Sequence, residues 1–325
     1  MSNTFMGQRR ERKNIVVIGG GNGTVAVLRA LRNEQDVLLS AVVSVADAGG
    51  SSGILRRELG VLPPGDMLRA VLALSPYPFD LLKRIFYSNR FSDAGKLDGH
   101  NLGNLFLTLG AEYGGDFLFS LSALHQAVEA KGRVFPATLE LADFAVRLQS
   151  GVVLLGEDKI DRPTGDRSDR IMKAWLEPRA VLYDEARRAI EEADYIILSP
   201  GSLYTSVIAT LLPEGMKEAI ANSCAKIIFC VPRCYEIEGE AGPRVLSEFV
   251  LEVERYLPRS ANSILYNSAS VTEERMGKYN EKKWGVIETD PQNLSERLVF
   301  GRDYESVDGG YDVAKLTEAL REVLD

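Results

Sequence analysis

Cysteine is scarce, with only Cys224, Cys230 and Cys234 in 325 residues. Three such residues make no disulfide framework, and their spacing lacks the close pairs of a zinc knuckle or ribbon, so they read as buried or incidental thiols. Histidine is limited to His100 and His125. One chain supplies no convincing Asp–His relay, and Ser202 lacks a Gly-x-Ser-x-Gly elbow, which disfavours a serine hydrolase. An excess of positive charge is missing too, since 38 Lys+Arg face 46 Asp+Glu for a net charge of −8. The one basic concentration, Arg9, Arg10, Arg12 and Lys13, is interrupted by Glu11. Such a surface repels a duplex backbone, and no nucleic-acid partner is expected. No apolar run is long enough to span a bilayer, and the basic opening leads into a glycine loop instead of a signal-peptide core. The expectation is a cytoplasmic protein without membrane insertion. Fixed-period repeats and low-complexity tracts are also lacking.

What is present is a globular composition, 45% hydrophobic, long enough for one large layered domain. Residues 1–13 read as a flexible N-terminal arm and 14–325 as a single domain. Ile15-Val16-Val17-Ile18 makes a strand, Gly19 to Thr24 a tight turn and Val25 to Arg32 a helix. A second apolar run, Leu38 to Val45, ends at Asp47 and a flexible Gly49-Gly50-Ser51-Ser52-Gly53 loop. Helical patterns follow over Met67–Leu74, Leu81–Tyr87 and Leu118–Ala130. Between 134 and 176 short apolar runs alternate with charges and glycines, which reads as an inserted or appended smaller lobe. The α/β rhythm then resumes with helix Asp184–Ala193, strand Tyr195–Leu198, later strands at Lys226–Val231, Ser263–Asn267 and Trp284–Ile287, and helices over Val245–Tyr256 and Val313–Leu324. The fold class is α/β: a Rossmann-like, mostly parallel sheet with flanking helices.

Four groups of residues carry candidate chemistry. Gly21-x-Gly23-x-x-Ala26 follows a strand, so small residues let backbone approach a diphosphate while helix N-terminal amides supply hydrogen bonds. A plain strand-to-helix connection would look similar. No substrate-redox constellation follows, and no redox cofactor is expected. Asp47 and Asp66 are candidate Mg²⁺ ligands if the fold joins their loops, since carboxylates suit hard cations; loop capping is the competing reading, and Asp98 shares it. His100, Asn101 and Asn104 offer donors and acceptors around Gly103, for ligand contact or for capping a helix. Ser199, Ser202, Thr205 and Ser206 gather hydroxyls around Gly201 after a strand, compatible with a further oxyanion pocket or with ordinary N-capping. Arg56, Arg57 and Arg69 can offset anionic charge, and Tyr204 can stack on a base or simply pack. His125 reads as a packing or surface residue.

Taken in order, Gly19-Gly20-Gly21-Asn22-Gly23-Thr24, Asp47-Ala48-Gly49-Gly50-Ser51-Ser52-Gly53, Pro63-Pro64-Gly65-Asp66, His100-Asn101-Leu102-Gly103-Asn104 and Ser199-Pro200-Gly201-Ser202-Leu203-Tyr204-Thr205-Ser206 resemble the gluconeogenesis factor (YvcK) family, within the phospholactate transferase CofD superfamily. The resemblance extends through most of the chain. It implies a Rossmann-like core, recognition of a UDP-sugar, especially UDP-N-acetylglucosamine, and a role linking central carbon metabolism to cell-envelope synthesis, morphology and gluconeogenic growth. It also implies a homodimer and a cell-envelope regulatory protein as partner. On this resemblance Gly20, Gly21, Asn22, Gly23, Thr24, Asp47, Gly49, Gly50, Ser51, Ser52, His100, Asn101, Asn104, Gly201, Ser202, Leu203, Tyr204, Thr205 and Ser206 surround the nucleotide sugar, with Asp66 and Arg69 as further contributors. No catalytic residue is assigned. Alternatives are a CofD-like Mg²⁺-dependent transferase using a nucleotide-diphosphate donor, and a partner scaffold with a vestigial pocket. Three departures stand out. Ala48 replaces the second aspartate of the family's Asp-Asp-Gly-Gly-Ser-Ser-Gly signature, Met67-Leu68 shifts Arg69, and Val231-Pro232-Arg233-Cys234-Tyr235 replaces a polar segment.

Overall fold

A computed structural model of the protein describes residues 12–163, 168–307 and 309–325. Residues 1–11 of the expected N-terminal arm lie outside the described residues. Lys13 opens the first strand instead of ending an arm, and its Nζ donates to the carbonyl of Leu324.

Seven parallel strands form the central sheet in the order β12-β10-β8-β7-β1-β2-β3. They are β1 (Lys13–Gly19), β2 (Val37–Val43), β3 (Arg133–Pro136), β7 (Tyr195–Leu198), β8 (Lys226–Val231), β10 (Ser263–Asn267) and β12 (Leu298–Arg302). The apolar run of β1 is buried on both faces, as a central parallel strand requires. Its side chains alternate, Ile15 and Val17 entering one core, Val16 and Ile18 the other. Helices cover both faces of this sheet, and α7 and α12 pack on the smaller ones: α1 (Gly21–Leu31), α2 (Gly50–Leu59), α3 (Gly65–Leu74), α4 (Phe79–Lys83), α5 (Leu102–Gly114), α6 (Phe117–Ala127), α7 (Glu157–Asp161), α8 (Asp184–Glu191), α9 (Ala209–Leu211), α10 (Met216–Asn222), α11 (Leu246–Glu254), α12 (Glu273–Glu281) and α13 (Val313–Leu324).

The chain runs from β1 outward to β2 and β3, then returns to place β7 on the other side of β1. Strand order therefore reverses between β1 and β7, and the crevice beyond their carboxyl ends is where open α/β sheets bind ligands.

The segment from 134 to 176 divides between two sheets. Its first residues belong to edge strand β3, while β4 (Asp143–Leu148), β5 (Val153–Leu155) and β6 (Ile171–Glu177) form a separate antiparallel sheet. Residues 164–167 of that stretch lie outside the described residues.

One expectation needs correction. Gly50 to Gly53 is the first turn of α2, not a flexible loop; Gly49 serves as N-cap and Gly53 donates its N–H to the Gly49 carbonyl. Gly53 is small for a packing reason, since a Cβ there would stand 1.9 Å from the Ala48 carbonyl oxygen. The strand expected at Trp284 forms as β11 (Trp284–Val286), which pairs antiparallel with β9 (Cys234–Glu236) in a separate two-stranded sheet.

Candidate functional site

Two loops meet at the switch point. Gly23 lets α1 pack against the loop after β7, since a Cβ there would stand 1.4 Å from the Pro200 carbonyl oxygen. Thr24 Oγ1 and Ser199 Oγ share a buried 2.7 Å hydrogen bond across the same contact. The β1 turn and the β7 turn are thus one rigid unit that brings Gly20, Gly21 and Asn22 beside Gly201, Ser202 and Ser206. A Cβ on Gly20 would stand 2.5 Å from Asp66 Oδ2, so α3 also presses its first acid against this turn.

The second unit joins α2, α3 and α5. Asn101 caps α5, its Oδ1 accepting from the Asn104 N–H at 2.8 Å. Asn104 Nδ2 donates to Ser51 Oγ at 3.1 Å and Ser52 Oγ at 3.4 Å, and His100 Nδ1 meets Ser51 Oγ at 2.8 Å. The cluster therefore holds the serines of the α2 N-terminus in place. Asn104 lines the cleft, and its Oδ1 is buried without a hydrogen-bond partner.

Asp47 and Asp66 are brought together as the metal reading requires. Asp47 Oδ1 accepts from the Gly49 N–H at 2.9 Å, and a Cβ on Gly65, next to Asp66, would stand 3.2 Å from Asp47 Oδ2. Burial, then the charge of Asp66, pushes the Asp47 carboxyl up from its ordinary value. Arg69 is ion-paired to Asp66, reaches Asn22 Oδ1 at 3.4 Å and lies over the Tyr87 ring at 5.3 Å. Burial opposes its charge, but Asp66 prevails and holds its pKa above the ordinary value.

Sequence reasoning missed Glu157. It begins α7, which the small sheet delivers to the cleft, and its Oε2 accepts from the Ala48 N–H at 3.3 Å. Burial, then the charge of Asp47, pushes Glu157 up to about 8. Glu240 was missed too. Its carboxylate accepts from the backbone N–H groups of Leu203, Tyr204 and Thr205, at 3.0 Å from Tyr204 and 3.1 Å from Thr205 to Oε2. Burial pushes it up to about 7 despite those amides. Acids in glycine-rich connections carry no periodic signal, and only the fold shows where they point. Leu203 and Tyr204 turn inward: both are buried, and the Tyr204 hydroxyl donates to the Ile171 carbonyl at 3.4 Å. Arg56 pairs with Asp143 at 2.7 Å, tying α2 to the small sheet.

These parts enclose a cleft of two chambers. The polar chamber, about 330 Å³, is lined by Asp47, Gly49 to Ser52, Asp66, Asn104 and Glu157 among others. The second, about 520 Å³, has Tyr235, Trp284 and Tyr311 in its walls with Arg233 and Lys282. Gly21, Arg69, Asp161, Ser202, Ser206 and Glu236 line both. Seven acidic side chains line the two chambers against four cationic ones, so the cleft is richer in acid than in base.

The sheet defines an α/β protein of Rossmann-like arrangement, with a cleft at the strand-order reversal where such sheets commonly bind ligands. The comparisons place it further. Residues 15–301 match the family of 2-phospho-L-lactate transferase CofD. A Thermotoga maritima protein is 37% identical over 285 residues, 88% of each chain. The gluconeogenesis factor of Halalkalibacterium halodurans is 38% identical over 220 residues, 67% of this chain and 66% of that one. A crystal structure of a Bacillus halodurans protein, described as a member of the UPF0052 family, superposes with a TM-score of 0.87 at 30% identity, covering 96% of this chain and 99% of the other. The chain belongs to the gluconeogenesis factor family within the CofD superfamily. Among the described residues, no helix is long and apolar enough to cross a membrane.

Proposed function

We propose that this protein is a gluconeogenesis-related factor that binds a UDP-sugar, UDP-N-acetylglucosamine foremost, and links central carbon metabolism to cell-envelope synthesis, cell shape and gluconeogenic growth. The observation that carries the reading is the pair of joined chambers. Small backbone positions and hydroxyls at the junction, Gly21, Ser202 and Ser206, suit a diphosphate, while the aromatic chamber suits a base and the polar one a sugar.

Mg²⁺ fits this reading. Asp47 and Asp66 offer hard oxygens side by side, and no group of three or more His, Cys, Asp or Glu residues able to hold a metal occurs among the described residues. One or two carboxylates, completed by waters and ligand phosphates, is how Mg²⁺ is commonly held. When bound, the ion would offset the diphosphate charge in this acidic cleft. Calorimetry with several UDP-sugars, with and without Mg²⁺, tests the proposal; a folded protein that binds none of them selectively would overturn it.

A transferase acting on a nucleotide-diphosphate donor is the second reading, favoured by Glu157, whose carboxyl keeps a proton near neutral pH. Product formation from candidate donors and acceptors would distinguish turnover from sensing. For the expected homodimer, α5 exposes Leu102, Phe106, Leu109 and Tyr113 along one stripe, a surface suited to its own copy across a two-fold axis. Sedimentation at working concentrations tests it, and a monomer throughout would refute it. The cytoplasm and a cell-envelope regulatory protein remain the proposed setting and partner.

A further inference from the structure

The turn after β7 opens a helical run that begins as a π-helical segment, Leu203–Ile208, and continues without a break into α9. Its first N–H groups point into the switch-point crevice, where a ligand phosphate would be drawn. They are already occupied. Glu240 Oε1 accepts from Leu203 and from Tyr204 at 3.2 Å, and Oε2 accepts from Tyr204 and Thr205. A carboxylate on three successive amides has the charge and the oxygen spacing of a bound phosphate edge. Glu240 comes from outside the helix, on the connection from β9, which carries Tyr235 and Glu236 into the cleft, to α11.

We infer that Glu240 is an internal anion competing with the ligand's diphosphate for the amides of Leu203, Tyr204 and Thr205, so that filling this subsite expels the 236–244 segment from its resting position. The inference rests on the proposed nucleotide-sugar site, and its chemistry is general to phosphate and diphosphate groups. Two anions cannot share three amides in a cavity that also holds Asp161 and Glu236. Either the ligand's phosphates stay at Gly20 to Gly23 and leave Glu240 in place, or Glu240 withdraws. Withdrawal would move Glu236, which lines both chambers, reshaping the cleft and converting occupancy into a change of surface. The proximity of Gly242 to the Tyr204 ring, 3.4 Å from a Cβ placed there, shows how closely the resting segment is seated.

Inorganic pyrophosphate and UDP-N-acetylglucosamine, each with Mg²⁺, are the probes, and the full chain is used throughout. Hydrogen exchange of the wild type should show the 203–205 amides protected with or without ligand, and the 236–244 segment exchanging faster once ligand is bound. Glu240→Ala should bind pyrophosphate at least about tenfold more tightly than the wild type, with Glu240→Gln, which leaves one acceptor oxygen, in between. If Glu240→Ala fails to fold, the Gln variant and the wild-type exchange decide. Unchanged exchange over 236–244 in a UDP-sugar-bound wild type overturns the competition while leaving the proposed function intact. Tighter pyrophosphate binding by the variants without any UDP-sugar binding supports the competition and overturns the proposed function. Failure of the variants to gain pyrophosphate affinity overturns the competition as well.

Discussion

Thr24 and Ser199, 175 positions apart, share one buried hydroxyl–hydroxyl hydrogen bond of 2.7 Å where the turns after β1 and β7 meet. Neither hydroxyl sees solvent, so each depends on the other, although Thr24 also reaches the Gly20 carbonyl at 3.1 Å. Thr24→Val keeps the shape and leaves Ser199 unsatisfied. The expected cost is about 1–3 kcal/mol of unfolding free energy. Ser199→Ala should cost a similar amount, and the double variant should cost less than the sum, as measured by denaturant unfolding. Simple additivity would mean the two turns are not coupled through this bond.

The same contact sets a sharper steric limit. A methyl group at Gly23 would overlap the Pro200 carbonyl, which is backbone and cannot rotate away. Gly23→Ala should therefore force α1 and the β7 turn apart, lowering Tm by well over the shift of an ordinary surface substitution and abolishing ligand binding. Gly277, in α12, has open space where a Cβ would stand, with nothing within 4 Å, and no positive φ. Gly277→Ala is the control, expected to raise stability by about 0.5–1 kcal/mol through helix propensity.

Charge in the cleft leads to a metal dependence. With Asp47 and Asp66 adjacent, chelation of Mg²⁺ by EDTA should weaken UDP-N-acetylglucosamine binding by at least about tenfold. Asp47→Asn should remove most of the difference between the two conditions. Calorimetry giving the same affinity with Mg²⁺ and with EDTA would rule out the pair as metal ligands.

Much of this arrangement is legible in the residues. Apolar runs such as Ile15 to Ile18 locate the strands, because a parallel strand buried on both faces has no polar positions to hide it. Glycine and hydroxyl clusters locate the turns of the cleft. The start of α2 reads as a loop because Gly50, Ser51, Ser52 and Gly53 are weak helix formers; tertiary contacts from Asn104 and His100 hold them helical. Glu157 and Glu240 are illegible for a different reason. Their roles depend on which backbone amides a distant segment leaves free, and that is a property of topology, with no counterpart in local spacing.

Glu157 also makes stability depend on pH in a direction opposite to the usual carboxylate. Its folded carboxyl titrates near 8 instead of the ordinary 4.5, because burial and Asp47 disfavour the charged form. Below the ordinary value both folded and unfolded chains hold the proton, and the group is neutral to folding. As pH rises, the unfolded chain releases the proton while the folded chain keeps it, so stability falls, and the loss is complete above the folded pKa. Glu157→Gln retains an oxygen for the Ala48 N–H and removes the titration. In the ligand-free protein the variant should melt several degrees above the wild type at about pH 8.5, with the gap closing toward about pH 4.5. A gap of constant size over that range would show that Glu157 is ionised in the folded protein, and that Asp47 and Glu157 do not compete for charge.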